Sequence, residues 1–332
     1  MNIIIPMAGR GSRLRPHTLT IPKPLMPVAG KPIVQRLVED LIKMIDEPIA
    51  KIGFIIKDDF GVEDELKAIA AEAGAEGHIF YQDEPLGTAH AIMCAGDLLE
   101  GKTVIAFADT LFKANFSIDT NTDGIIYVQQ VENPAAFGVV KLDENKHITD
   151  FVEKPTEFVS DLAIIGIYYI KDGPGIKREM QYLMDNDIKD KGEYQLTNAL
   201  ENLKQKGTKF TTGQVEEWLD CGNKNATVYT NQRVLEFLKD ETSIPASVKM
   251  ENSVVVQPVL LGENVTLRNA VVGPHATIGE GSTIENSVVK NALIQNHTSI
   301  EGMVLDNTMI GSHANLKGKA DSLSLGDYSE MG

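Results

Sequence analysis

Between Met7 and Ile33 the chain reads MAGRGSRLRPHTLTIPKPLMPVAGKPI: three glycines, five cations and no acid. A glycine-rich loop after a strand lets backbone N–H groups come close to phosphate oxygens. Arg13, Arg15 and Lys23 add positive charge for the same oxygens. Pro22 and Pro24 flank Lys23. Proline removes backbone freedom, so Lys23 is expected in an extended conformation, pre-set to meet a phosphate without reorganisation. The loop lacks the GxxxxGK[ST] of a P-loop and the third glycine of the dinucleotide fingerprint. Two acids complete the set. Asp109 closes the predicted strand TVIAFA, and a carboxylate at the end of a parallel strand sits where open α/β sheets bind ligands. Asp220, in WLDCGN, follows another strand-like run. Two carboxylates suit Mg²⁺ shared with phosphates. The competing reading makes the cations a surface cap on a first βα unit and the acids turn or helix-cap residues.

The charge balance sharpens this. The 332-residue chain has a formal net charge of −16, which argues against nucleic acid or an anionic membrane as the main partner. Yet residues 1–38 hold Arg10, Arg13, Arg15, Lys23, Lys31 and Arg36 and no Asp or Glu. A local +6 in an acidic chain points to a pocket for a compact, highly charged anion. The hydrophobic content of 42% is that of a globular protein. No stretch approaches the ~18 apolar residues of a membrane span, and MNIIIPMAG lacks the basic start of a signal peptide. Cys94 and Cys221 fit no metal spacing and read as reduced thiols of a cytoplasmic protein.

Elements that position these groups follow from periodicity. NIIIPM is a buried strand, PIVQRLVEDLIKMI a helix, and KIGFIIK, HIFYQ and TVIAFA further strands with the helical VEDELKAIAAEAG and GTAHAIMCAGDLL between them. The alternation predicts an α/β fold with a mostly parallel, mixed sheet covered on both faces. GIIYVQQV and the hairpin FGVVKLDENKHITDFVEKP form an antiparallel excursion, AIIGIYYIK and KFTTGQV are strands, and 176–187, 193–205 and NKNATVYTNQRVLEFLKDE are helices.

From residue 245 short motifs repeat. LGENVTL, IGEGSTI, IQNHTSI and IGSHANL start at 261, 278, 294 and 310, with Val265, Ser282, Thr298 and Ala314 at the small inward position. Repeats this short bury apolar residues only by stacking as coils. This predicts two domains, 1–244 and 245–332. The second resembles the hexapeptide-repeat, left-handed parallel β-helix, its hand taken from that resemblance, with the tail KADSLSLGDYSEMG closing or fraying the stack. His297 and His313 share a column and are expected to face outward near a corner.

The stretch GRGSRLRPHTLTIPKPLMPVAGKPI resembles the signature of the sugar-1-phosphate nucleotidylyltransferases, which include glucose-1-phosphate thymidylyl- and uridylyltransferases. QDEPLGTAHA, FADT, FGVV, VEKP, IIGIYYI, KGEYQLTNAL and WLDCGN follow in that family's order, over roughly residues 1–240. The resemblance implies a Rossmann-like catalytic domain. It implies the reaction NTP plus sugar 1-phosphate to NDP-sugar plus pyrophosphate, with Mg²⁺ held by Asp109 and Asp220. It assigns Arg13 to the β- and γ-phosphates and Lys23 to the α-phosphate. Gly9, Gly11, Gln82 and Gly87 go to the nucleotide, Gly138, Glu153, Gly166 and Tyr168 to the sugar, and Lys154 and Lys191 to the sugar phosphate. A phosphate monoester with a second pKa of about 6 is largely dianionic at pH 7 and needs no strong base, so the site calls for cations rather than a nucleophilic side chain. Two positions depart from the pattern: Ala108 stands where a glycine is usual, and Cys221 where Thr or Ser is common. Neither removes a charge. The implied substrates are dTTP or UTP and glucose 1-phosphate, in a homo-oligomer. The alternatives are a non-catalytic regulatory or assembly subunit of the same plan, and a bifunctional enzyme with acyl transfer added by the β-helix histidines.

Overall fold

A computed structural model describes residues 1–9, 11–57 and 61–319. Arg10 and the tail from residue 320 lie outside the described residues. By packing, the chain divides into one unit of residues 1–26 and 31–222 and a second of 27–30 and 223–332.

The first unit is built on a nine-stranded sheet. Strand β1 (Asn2–Pro6) pairs in parallel with β2 (Lys51–Ile56), which pairs with β3 (Glu76–Tyr81). On its other edge β1 pairs in parallel with β4 (Thr103–Ala106). The apolar run of β1 is fully buried because helices cover both faces. Helix α1 (Ile33–Met44) turns Ile33, Val34, Leu37, Val38, Leu41 and Met44 inward, and α2 (Glu63–Glu72) and α3 (Thr88–Cys94) complete the crossovers. The sheet order 3-2-1-4 reverses direction at β1, so a crevice opens beyond the carboxyl ends of β1 and β4. The glycine-rich loop leaves one of those ends and Asp109 follows the other.

Strand β5 (Thr110–Lys113) lies off the main sheet. The sheet continues through β6 (Gly124–Gln130), the hairpin β7 (Gly138–Leu142) and β8 (Ile148–Glu153), and the long β9 (Leu162–Ile170). Strand β9 runs antiparallel to β4, β6 and β7, the expected excursion. Its pairing with β6 slips between Ile164↔Val128 and Tyr168↔Ile126, four steps on one strand against two on the other. Gly166, at φ +84, takes up the bulge. Helices α4 (Gly173–Asp185) and α5 (Leu196–Gln205) cover this half, α4 capped by the Asp172 carboxylate, which accepts from Gly175 N–H at 2.9 Å. Strand β10 (Phe210–Gln214) adds in parallel to β6.

Strand β11 (Glu217–Asp220) pairs antiparallel with β5, setting Asp220 opposite Thr110. The sequence reading missed β5, whose four residues are too few to show a period. Two expectations are corrected here. Strand β4 ends at Ala106, and Asp109 lies in the turn that follows, where Thr110 N–H donates to Phe107 O at 3.3 Å. Lys23 opens a 3₁₀ turn, Lys23–Leu25, instead of lying extended. Pro22 is the extended residue (ψ 143), and its carbonyl accepts from Leu25 N–H at 2.9 Å. Pro24 fits the turn because a first-turn position leaves its missing N–H unneeded.

In the second unit, helix α6 (Lys224–Phe237) is capped by Asn223 and packs on strands 276–278, 292–294 and 308–310. Three parallel stacks follow the predicted register: Leu261↔Ile278, Ile278↔Ile294, Ile294↔Ile310. Leu267, Ile284, Ile300, Val272 and Val289 form buried ladders, and Val265, Ser282 and Thr298 point inward as expected. The corners explain the recurring Asn, Gly and His. Positive φ recurs in three columns: Asn252, Asn269, Asn286, Gly302; Asn264, Gly281, His297, His313; and His275, Asn291, Asn307. Asn and His are among the non-glycine residues that best tolerate this region. Asn252 Nδ2 donates to Asn269 Oδ1 at 2.8 Å, and Asn269 Nδ2 to Asn286 Oδ1 at 3.1 Å, so one column is also a hydrogen-bonded ladder. His297 and His313 are exposed and stack on each other, ring centroids 5.2 Å apart.

Candidate active site

The crevice beyond β1 and β4 holds two cavities. The first, about 380 Å³, is lined by Gly9, Gly11, Arg13, Lys23, Gln82, Gly87 and Asp109. The second, about 340 Å³, is lined by Gly138, Glu153, Lys154, Gly166, Tyr168 and Asp220. Arg13, Thr88, Phe107, Asp109, Glu193 and Gly222 line both. The structure therefore brings together every residue that the resemblance assigned a role except Lys191, which lines neither cavity and whose Nζ donates to Lys154 O at 2.7 Å. Arg15 lines a third cavity, with Thr18, Pro22 and Lys57, which shares Met7, Ala8 and Gly9 with the first.

In the first cavity the loop conformation is set by Gly11, at φ +57. A Cβ there would come within 3.1 Å of Lys23 Cβ and Thr18 Cγ2, so only glycine lets the loop lie against the lysine. Thr18 Oγ1 donates to Gly11 O at 2.8 Å and closes the loop. A Cβ on Gly9 would meet no protein atom, so its side is open to the cavity. Lys23 Nζ lies 3.3 Å from Asp109 Oδ2. Gly87 (φ +114) opens α3, and a Cβ there would sit 2.4 Å from Tyr194 O. Gln82 Nε2 donates to Gly87 O at 3.2 Å and meets His90 Nδ1 at 3.0 Å.

In the second cavity Glu153 is the central group. Thr197 Oγ1 donates to its Oε2 at 3.2 Å, and Lys154 Nζ lies 3.4 Å from its Oε1. A Cβ on Gly138 would stand 3.1 Å from Glu153 Oε2, so glycine keeps the carboxylate reachable. Tyr168 meets Phe107 edge to face at 6.2 Å. Burial pushes its hydroxyl above the titrating range, with Glu153 and Asp109 adding to the effect, so it stays a neutral donor. The sequence reading missed Phe107, Thr88, Glu193, Gln195, Thr197 and Trp218. All six stand in the motifs FADT, QDEPLGTAHA, KGEYQLTNAL and WLDCGN, where a signal lay.

The two acids meet because β5 and β11 pair: Cys221 N–H donates to Asp109 O at 3.1 Å. Gly222 N–H donates to Asp220 Oδ1 at 2.8 Å. Burial pushes the Asp220 carboxyl above the usual aspartate range. The Asp109 charge adds to this, against the lowering pull of Lys23, the Gly222 N–H and Arg13. Among the described residues no group of three or more His, Cys, Asp or Glu is placed to hold a metal. Two crowded carboxylates without further protein ligands fit Mg²⁺, which keeps waters and takes phosphate oxygens as its other ligands. They do not fit zinc, which takes three or four protein ligands.

An α/β sheet with two adjoining mixed-charge cavities of about 380 and 340 Å³ at its switch point is the architecture of a protein that takes charged small-molecule ligands. Comparison narrows it: the profile of the nucleotidyl transferase family matches residues 2–236, and the chain belongs to that family. The low-salt glycan biosynthesis nucleotidyltransferase Agl11 of Haloferax volcanii is 34% identical over 245 residues, 71% of this chain and 66% of that one. A glucose-1-phosphate thymidylyltransferase of Streptomyces antibioticus is 30% identical over 272 residues, 79% of this chain and 73% of that one. The chain spans only 60–66% of the length of its first archaeal relatives. The crystal structure of a UDP-glucose pyrophosphorylase complexed with UDP-glucose superposes with a TM-score of 0.58 at 22% identity, over 71% of this chain and 98% of that one, which establishes the fold alone.

Proposed function

We propose that this chain transfers a nucleotidyl group from dTTP or UTP to a sugar 1-phosphate, glucose 1-phosphate foremost, releasing pyrophosphate. One observation carries the reading: Arg13 and Asp109 line both cavities, so phosphates arriving from the nucleotide side and from the sugar side converge on the same charges. The sugar phosphate is already an anion at neutral pH and attacks the α-phosphorus without a base. What the site must supply is charge. Lys23 faces the α-phosphate and Arg13 the β- and γ-phosphates. Asp109 and Asp220 would hold Mg²⁺, which would supply neutralising charge for the pyrophosphate leaving group. With its Nε2 turned to Gly87 O and His90, Gln82 offers its amide oxygen to the imide N–H of a pyrimidine. Glu153, held by Thr197, and the Tyr168 hydroxyl suit sugar hydroxyls. The Haloferax and Streptomyces relatives support the nucleotidyl and sugar-phosphate assignments.

The intact set Arg13, Lys23, Asp109 and Asp220 favours an enzyme over a non-catalytic subunit. The outward, mutually stacked His297 and His313 do not favour acyl transfer. Cys94 and Cys221 are not joined in a disulfide, which suits the cytoplasm, and no helix among the described residues is long and apolar enough to cross a membrane. The exposed column Val254, Val271, Val288 and Val304 supports a homo-oligomer. The test of the activity is pyrophosphate release over a grid of four NTPs and several sugar 1-phosphates with Mg²⁺. The reading expects the highest kcat/KM for dTTP or UTP with glucose 1-phosphate. No release with any pair overturns it.

A further inference from the structure

Gln82 directly follows β3, and its backbone N–H donates to Ile56 O at 2.9 Å, so the sheet sets its place in the wall of the first cavity. What a ligand meets there depends on which way the side-chain amide is turned. Its nitrogen carries two hydrogens and its oxygen none.

Helix α3 decides the turn. Gly87 caps the helix start and His90 follows three residues on, a spacing that puts both on one face. The start is itself held, because Ala89 N–H donates to Tyr194 O at 2.9 Å. One atom of the Gln82 amide lies 3.2 Å from Gly87 O and 3.0 Å from His90 Nδ1. A backbone carbonyl only accepts, so the atom facing it is the NH2. A reversed amide would set two bare oxygens against each other. The second hydrogen of that NH2 then goes to His90 Nδ1, and the imidazole is the tautomer with its own hydrogen on Nε2. Gly87 O is shared, since it also accepts from Ala91 N–H at 3.0 Å, and the contact with His90 is the shorter of the amide's two. Both hydrogens of Gln82 are used within the protein, and Oε1 alone is left for a ligand.

A lone acceptor sorts nucleobases by their pairing edge. Uracil and thymine present N3–H there, and guanine presents N1–H. Cytosine N3 and adenine N1 are bare acceptors and would meet Oε1 lone pair to lone pair. A site built to hydrogen-bond one substrate rejects strongly the analogue that leaves its polar group unmet. We propose that His90 is a positioning residue for nucleobase selection: by accepting from the Gln82 amide it keeps Oε1 turned to the cavity. The protein then selects bases that carry an N–H on the pairing edge. The proposal rests on the reading of Gln82 as the nucleobase contact.

The test measures kcat/KM for UTP against CTP and for GTP against ATP. The wild type should prefer UTP to CTP, or GTP to ATP if the cavity takes purines. His90→Leu fills the space without an acceptor. It should lower that ratio about tenfold, the worth of one hydrogen bond, with KM changing more than kcat because the base lies away from the reacting atoms. His90→Asn, whose Oδ1 can stand near the place of Nδ1, should keep the ratio within about threefold of wild type. In a Gln82→Leu background, adding His90→Leu should change the ratio no further. If His90→Leu fails to fold, His90→Ala is read in the same way. An unchanged ratio in the folded variant overturns the proposal, as does a further fall in the Gln82→Leu background or a wild type with neither preference. If the wild type releases no pyrophosphate, the activity reading has failed, and calorimetric Kd values for the same four nucleotides decide the role of His90. Equal Kd values, or no binding, then overturn it.

Discussion

Lys23 Nζ stands 3.3 Å from Asp109 Oδ2, and the lysine side chain is 11% exposed where the aspartate is 54% exposed. An ammonium that far out of water needs a partner. Asp109 supplies it, and the open side of the same carboxylate faces the cavity. On the proposed function, phosphate oxygens would take over the lysine and the carboxylate would hold a metal ion.

Lys23→Ala should then lower kcat by about 10²–10³, the usual cost of losing one donor aimed at developing charge, while KM for the nucleotide changes by less than about tenfold. Arg13→Ala should damage both parameters, because the triphosphate is charged before reaction begins. Steady-state kinetics of the two purified variants decide this. A change in KM alone on removing Lys23 refutes its transition-state role.

Asp220 carries a cost that its function explains. Its folded pKa is raised, first by burial, so its ionised form is the disfavoured one in the fold. At a pH where the carboxyl is ionised, Asp220→Asn should raise the Tm of the substrate-free protein. The gain should vanish as pH falls below the raised pKa, where the wild-type carboxyl is also neutral. Turnover should meanwhile fall by several orders of magnitude in both Asp220→Asn and Asp109→Asn. Calorimetry across pH 4–8 reads the first effect. A lower Tm for Asp220→Asn at pH 7 refutes the account of its burial.

Gly87→Ala tests the nucleotide side. Its φ of +114 and the 2.4 Å approach of a new Cβ to Tyr194 O leave no room for alanine. The substitution should cost more than about 1 kcal/mol. It should also raise the nucleotide KM, because Gly87 O anchors Gln82. Denaturant melts with kinetics check both, and wild-type values in both would show that the loop has another course.

In the second unit, Ile284→Ala removes a fully buried side chain from the ladder Leu267, Ile284, Ile300. The expected loss is about 2–5 kcal/mol, followed as protease sensitivity of residues 223–319. A variant as resistant as the wild type would place Ile284 outside a packed core.

The glycine-rich loop was legible because its glycines and cations are contiguous, and the coils because their period repeats in register from Leu261 to Ile310. The pairing of β5 with β11 was not. It unites Asp109 and Asp220 through two four-residue strands far apart in sequence, and so short a strand has no visible period. The 3₁₀ turn at Lys23 was hidden as well, because proline neighbours favour an extended lysine locally and only the hydrogen bond to Pro22 O reverses that preference. Lys191 sits within a matching motif, yet its own contact, to Lys154 O, is with the backbone.

The central claim is that the nucleotide's α-phosphate is passed to the sugar phosphate. The most direct measurement follows α-³²P-labelled dTTP or UTP with glucose 1-phosphate and Mg²⁺. The account predicts label in a nucleotide-sugar, formed one-to-one with unlabelled pyrophosphate, and no turnover without the sugar phosphate. Release of orthophosphate, or label lost from the nucleotide without sugar phosphate present, would contradict it.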